Sequence, residues 1–230
     1  YYDLHIHTAL SPCGDADMTP NNIVNMALLK GLDVIAVTDH NSCENAAAVI
    51  AAADGRLAVV PGMEVETAEE LHMLCYFPTL DAARKMQAHI DRAHPGIENR
   101  SEIFGEQCIM NADDEIVGHE RRLLVCATGL DIYRTVRLAH ECGGAAVCAH
   151  IDRASYSAVS NLGFIPPDLQ HDAVEITAQS RARLAPEYGG YQILTSSDAH
   201  YLENIAEREN FLEIPEKSAQ NVVRFLCRNN

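Results

Sequence analysis

The sequence predicts an α/β barrel whose functional groups meet at one mouth. Three observations carry the prediction. Short apolar, strand-like runs alternate with helix-like segments along most of the chain, the pattern of an α/β barrel or a doubly wound sheet. One run, Asp33 to Thr38 (D-V-I-A-V-T), is almost continuously apolar, as strands buried on both faces are. Histidines and carboxylates then stand at the C-terminal ends of at least five such runs. An open sheet gathers ligands at one switch point, whereas a barrel brings every strand end to a single mouth, so the barrel is preferred.

The first strand is Asp3-Leu4-His5-Ile6-His7, in which polar and apolar residues alternate. Alternate side chains of a strand share a face, so His5 and His7 project together, close enough to hold one metal ion. The same alternation puts Asp3 on that face, where it can orient an imidazole. A polar loop follows, Ser11 to Asp17. Thr19-Pro20 opens a helix, with Thr as N-cap and Pro at the first helical position, and Ile23, Val24, Ala27 and Leu28 mark its buried face. Gly31 ends it. Asp39-His40-Asn41 close the second strand. Ser42 to Ala53 is helical. Leu57 to Val60 is a strand that ends at Pro61-Gly62-Met63-Glu64, and His72 to Phe77 is another.

Leu80 to about His94 is helical, and residues 95 to 128 then break the rhythm. Ile103 to Met110 and Glu115 to Val117 form a polar β excursion around Asn111 to Asp114, too small for a core of its own. The expectation is one domain over residues 1–230, with 95–128 as an insertion or lid. Alternation resumes with a helix from Leu130 to Cys142, stopped by Gly143-Gly144, and a strand from Ala145 to Ala149 that ends in His150. Further strands are expected at Ala173 to Thr177 and at Gln192 to Ser197, the latter ending in Asp198-Ala199-His200. A short strand at Phe211 to Ile214 and a helix from Ser218 to Cys227 close the chain.

Composition limits the function. Of 230 residues, 47% are hydrophobic, enough for a sizeable core. No apolar run nears the roughly 20 residues that span a bilayer, and no leader segment is visible, so a cytoplasmic protein with no membrane partner is expected. The formal net charge of −16 disfavours a broad nucleic-acid surface and leaves open an anionic substrate in one pocket. None of the eight cysteines forms a C-x-x-C pair, which excludes a zinc ribbon. They are expected as buried free thiols, except Cys13 and Cys43, which fall beside the candidate site.

That site comprises His5, His7, Asp39, His40, Glu64, His72, His150, Asp198 and His200, with Asp15 or Asp17 nearby. Six of the eleven histidines belong to it. Imidazole and carboxylate without thiolate suit zinc, manganese or iron. The donors outnumber what one tetrahedral ion can use, so two or three divalent ions are expected, with Glu64 able to bridge.

The motifs D-L-H-I-H-T, T-D-H-N, G-M-E-V, L-H-M-L, A-H-I-D and S-S-D-A-H run in order from Asp3 to His200. As a set the sequence resembles the PHP (polymerase and histidinol phosphatase) family. The resemblance implies a distorted (β/α)7 TIM-like barrel with, usually, three metals at the C-terminal ends of its strands. Carried over, one ion would take His5, His7, Glu64 and Asp198. A second would take His40, His200 and a residue of the first loop, for which Asp15 is chosen and Cys13 comes next. The family's usual loop positions hold Pro12 and Cys13 here. A third ion would take Glu64, His72 and His150, with Asp39 behind the ligands. Amidohydrolases also begin with H-x-H on a barrel strand, and many bridge their metals with a carboxylated lysine. The three lysines here, Lys30, Lys85 and Lys217, fall in or beside helices, so Glu64 fits the bridge better.

The reaction that fits is hydrolysis of a phosphate ester by a metal-activated hydroxide. Asp198, His200, Arg153 and Arg181 are the candidate catalytic groups, the arginines as a phosphate clamp on the mouth side. Arg100 and Arg122 can act from a lid. His119, His140 and His171 are expected on the surface. The resemblance implies a small phosphorylated substrate such as a nucleotide, a short oligonucleotide or a metabolite like histidinol phosphate, and the net charge disfavours duplex nucleic acid. The alternative of another class is a non-catalytic metal-binding regulatory or docking module.

Overall fold

The computed structural model describes residues 1–227. Its first third is β1 (Tyr2–Ile6), α1 (Pro20–Leu29), β2 (Val34–Val37), α2 (Ala46–Ala53) and β3 (Ala58–Glu66), three parallel strands joined by helices. α1 begins as its cap dictates: the Thr19 side chain accepts from the N–H of Asn22, and Pro20 takes the first position. β3 does not stop at Val60 as expected. It runs on to Glu66 because β4 (His72–Tyr76) folds back along it, antiparallel, pairing Gly62 with Tyr76 and Glu66 with His72.

α3 (Leu80–Ala93), α4 (Ser101–Phe104), β5 (Cys108–Met110) and β6 (Ile116–His119) follow, the last two as a separate antiparallel hairpin. α5 (Ile132–Glu141) leads into β7 (Ala145–Cys148), which is antiparallel to β4 and so restores the direction of the first three strands. Gly144 is required at that entry: a Cβ there would sit 2.5 Å from the carbonyl oxygen of Tyr76. α6 (Ala158–Leu162), β8 (Ala173–Glu175), α7 (Ala178–Leu184), β9 (Ile193–Leu194) and α8 (Ala219–Leu226) complete the chain. The expected strand at Phe211 to Ile214 is instead irregular.

The large sheet has the order β1-β2-β3-β4-β7-β8-β9 and curls so that Ala199, just beyond β9, forms a parallel bridge with Ile6. The result is the expected distorted seven-stranded barrel, with β4 reversed. Strand residues that face inward at its base form one apolar cluster, including Tyr2, Leu4, Ala36, Val60, Leu74, Tyr76 and Val147. The Tyr76 hydroxyl donates to the carbonyl of Leu4 at 2.8 Å, so its buried oxygen is paired. α8 closes the floor through Val222, Val223 and Leu226. Two outer clusters pack helices against the sheet, one under α1 and α2 and one under α3 and α5.

The β5–β6 hairpin packs on the loop after β1. The N–H of Cys108 bonds the carbonyl of Ala9 at 2.9 Å, and Asn45 at the start of α2 bonds the backbone of both Cys108 and Met110. Asn41 ties the following residues down through the carbonyls of Leu124 and Cys126. The hairpin thus braces the loop and strand end that carry two of the motifs. Among the described residues no helix is long and apolar enough to cross a membrane.

Candidate metal centre

Climbing the barrel interior, the inward residues change from apolar to ligating. β3 presents Ala58, Val60, Gly62 and then Glu64. β4, read backwards, presents Tyr76, Leu74 and then His72. β8 presents Ala173 and then Glu175. Because β4 is reversed, His72 reaches the mouth from a strand's N-terminal end, a correction to the expectation that every ligand stands at a C-terminal end. In β1 the pairing shifts register between Asp3 and Ile6. Tyr2 and Leu4 face the inner cluster, Ile6 faces the helices, and His5 and His7 line the site. The irregularity changes the phase of alternation, so Asp3 does not share the histidines' face. It accepts instead from Ser197 and from the N–H of Ala206, and so fixes the segment that carries Asp198.

Among the described residues, three groups of donors meet at the mouth. The first is His5, His7, Glu64 and Asp198. Its members stand at nearly uniform separations: the two Nε2 atoms are 3.3 Å apart, Asp198 Oδ1 is 3.1 Å from each, and the Glu64 oxygens lie 3.3 Å from His5 and 3.4 Å from His7. Donors about 2.0–2.1 Å from a tetrahedral ion are themselves about 3.4 Å apart, so the set fits one cation. The hydrogen bonds behind the rings point the same way. The Nδ1–H of His5 donates to buried Glu175 at 3.0 Å, which leaves Nε2 to the site. Ser11 donates its hydroxyl proton to Asp39 at 2.8 Å, so it must accept from the Nδ1–H of His7 at 2.9 Å, and Nε2 of that ring is free as well.

The second group is His7, His40 and His200, and the third is His40, Glu64 and His72. His72 Nδ1 lies 2.8 Å and His150 Nε2 3.1 Å from Glu64 Oε1, so Glu64 lies between the first and third groups. Buried Nδ1 of His150 has no hydrogen-bond partner. His40 appears in two groups, and His7 turns Nε2 to the first group and Nδ1 to Ser11, so the second group is short of a donor. Asp15 does not supply it. Its carboxylate accepts from the N–H of Asp17 at 2.8 Å, turned onto its own loop. Cys13 is exposed and lies outside all three groups, and Cys43 packs in the apolar cluster with Met63.

The pocket is electrically built for cations. Burial alone would lower His5, but Asp198, Glu175 and Glu64 outweigh it and hold the imidazole well above its ordinary value. Burial would raise Glu64, yet His72, His5 and His40 hold its carboxyl well below the usual range. Burial and the neighbouring His7 pull His200 down to about 4, so its ring is neutral near pH 7. Backbone strain collects here too: Asn41, His150, Tyr156 and Asp198 all have positive φ.

Arg153 reaches the centre, with its guanidinium paired to Asp198 Oδ2. It lines both a cavity of about 140 Å³ over the cluster and an adjoining one of about 370 Å³. Arg181 does not reach it; it donates to Thr195 at 2.7 Å and faces a different cavity. Arg122 is paired with Glu120 and Asp91, and no residue of 95–128 lines either cavity at the mouth. His171, expected on the surface, is buried, and His140 is tied to buried Asp172. Sequence reasoning missed Glu175, Ser11 and Thr8. Glu175 alone had a signal, a carboxylate at an inward position of an apolar strand.

The profile of the PHP domain matches residues 3–179. The chain belongs to the PHP family. The 5′-3′ exoribonuclease Rnm of Salmonella typhimurium is 29% identical over 182 residues, 72% of this chain and 57% of that protein. The chain therefore spans little more than half the length of that relative. Among solved structures, the lesion-specific endonuclease PfuEndoQ from Pyrococcus furiosus superposes with a TM-score of 0.73 at 19% identity, covering 98% of this chain and 55% of that one. Endonuclease Q in complex with a 27-mer duplex substrate, an abasic lesion at its active site, gives a TM-score of 0.67 at 20% identity, covering 87% and 49%. These two show the shared fold, and with the exoribonuclease they correct the partner expectation. Net charge does not exclude duplex nucleic acid, since a protein of this fold takes a duplex at its active site, and the preference for a small phosphorylated substrate falls with it. A total charge averages the whole surface, whereas contact depends on the local field at the mouth, which bound cations invert.

Proposed function

We propose that this PHP domain hydrolyses phosphodiester bonds of nucleic acid at a centre of two or three divalent cations of the zinc, manganese or iron kind. The observation that carries the reading is the four-donor set His5, His7, Glu64 and Asp198 with its near-uniform spacing. In this reading that set holds the first cation. Glu64 and His72 hold another, with His40 or His150. His40 and His200 hold the weakest. The sequence likeness to an exoribonuclease favours RNA as a substrate.

Bound divalent ions supply Lewis acidity there, lowering the pKa of water to about 7 in favourable cases and neutralising charge on phosphoryl oxygens. The chain's own groups orient and exchange. Glu175 and the Asp39–Ser11 pair hold His5 and His7 in the tautomer that leaves Nε2 free. Arg153 stands between the two cavities, where its guanidinium can exchange Asp198 for a phosphoryl oxygen of the substrate. Asp198 and His200 wall the same small cavity and complete the reacting centre.

The test is metal analysis of the purified chain, with manganese-supported cleavage of labelled single-stranded RNA and of duplex DNA bearing an abasic site. Two or more ions per chain, with cleavage lost at least 100-fold in His7→Ala, supports the reading. Full metal occupancy with no turnover of any diester favours the non-catalytic metal-binding module.

A further inference from the structure

Resting on that reading, we propose that Tyr156 is the platform on which a base beside the scissile phosphate stacks, which makes it a specificity-determining residue for single-stranded nucleic acid. Tyr156 lies in the loop after β7 with φ of 56°, a left-handed conformation that a bulky residue adopts only when held there. What holds it is the N–H of His72, which donates to the Tyr156 carbonyl at 2.9 Å. The ring consequently lies parallel to the His72 imidazole, with centroids 4.9 Å apart and planes at 20°. One face covers a ring of the metal centre. The residue is nonetheless 48% exposed, and it lines the cavity that also holds Glu64, His150, Arg153 and His200. A strained loop therefore presents an open aromatic face beside the place where a phosphate would sit.

Charge says why such a face matters. The chain carries −16, and Arg153 is the guanidinium that lines both cavities at the mouth. Attraction for a run of phosphates is weak on such a surface, whereas stacking on an aromatic ring is tolerant of sequence and independent of net charge. Losing one stacked base lowers affinity on the order of tenfold.

The test reads binding by stopped-flow fluorescence anisotropy ahead of turnover, using manganese-loaded full chain and labelled single-stranded RNA octamers that are either complete or abasic at one position each. For the wild type, the complete octamer binds about tenfold tighter than the octamer abasic at the stacking position. Tyr156→Phe keeps that ratio, and Tyr156→Ala, checked for unchanged metal content, brings it to about one. A wild-type ratio retained in Tyr156→Ala overturns the proposal, as does equal loss in Phe and Ala, or an oligonucleotide that fails to bind at all. Binding that depends on Tyr156 without turnover of any diester sinks only the hydrolysis reading. Turnover with no dependence of binding on Tyr156 sinks only the stacking.

Discussion

Glu175→Gln tests how the first ligand is held. The carboxylate is buried at the wall of the larger mouth cavity. It receives two donors, the Nδ1–H of His5 at 3.0 Å and the backbone N–H of His150 at 3.1 Å, both on Oε2. An amide of the same shape keeps one oxygen and presents an NH2 group at the other position. Either that oxygen serves both donors, or one buried N–H faces another. A buried donor left unpaired costs about 1–3 kcal/mol. The negative charge that favours an electron-rich His5 is lost as well. Substitutions behind a metal-binding histidine typically weaken metal binding 10- to 100-fold, or about 1.4–2.7 kcal/mol, which agrees with the hydrogen-bond estimate. The assay is calorimetric titration of manganese or zinc into chelator-stripped protein. The expected result is unchanged stoichiometry with the tightest site weakened 10- to 100-fold and near-UV circular dichroism intact. A dissociation constant within twofold of wild type would refute the reasoning.

Three further outcomes follow from the same geometry. Stripping bound metal with a chelator lowers Tm by about 5–10 °C, because a ligand at 100 times its Kd contributes about 2.7 kcal/mol and a chain of this size shifts about 2–4 °C per kcal/mol; an unchanged Tm in differential scanning calorimetry contradicts it. Arg153→Ala raises KM for a phosphodiester about tenfold, whereas Arg181→Ala, whose side chain bonds Thr195 away from the cluster, stays within twofold; steady-state kinetics showing the reverse order would reassign the phosphate clamp. His140 has its imidazole raised by the hydrogen bond to Asp172. That stabilisation is complete below the unfolded value of about 6.5 and fades as pH rises through the raised folded value, so His140→Gln loses more Tm at pH 5.5 than at pH 9. A loss equal at both pH values rules the linkage out.

The members of the candidate cluster are legible in the sequence because each sits at a position that local pattern marks. His5 and His7 are two apart in a strand, and His40, His150 and Asp198 stand where apolar runs stop. The reversal of β4 was missed, although the short link from Thr67 to Leu71 is too brief for a parallel crossover, which takes a dozen residues or more. The face of Asp3 was misread because a register shift in β1 cannot be seen in an alternating pattern. Asp15 was chosen by proximity in sequence, yet short acidic side chains in loops readily bond their own backbone, and this one does. Arg181 is similar: the strand end beside it is legible in the sequence, but its hydrogen bond to Thr195 is not. Ser11, which relays between Asp39 and His7, and Thr8, which donates to Asp39, carry no signal at all, since each looks like any loop hydroxyl.

The most direct measurement is anomalous scattering from crystals of the manganese-loaded chain. The account predicts a strong peak enclosed by Nε2 of His5, Nε2 of His7 and the carboxylates of Glu64 and Asp198, lost in His7→Ala crystals. Saturating manganese with no peak between those four side chains would contradict it.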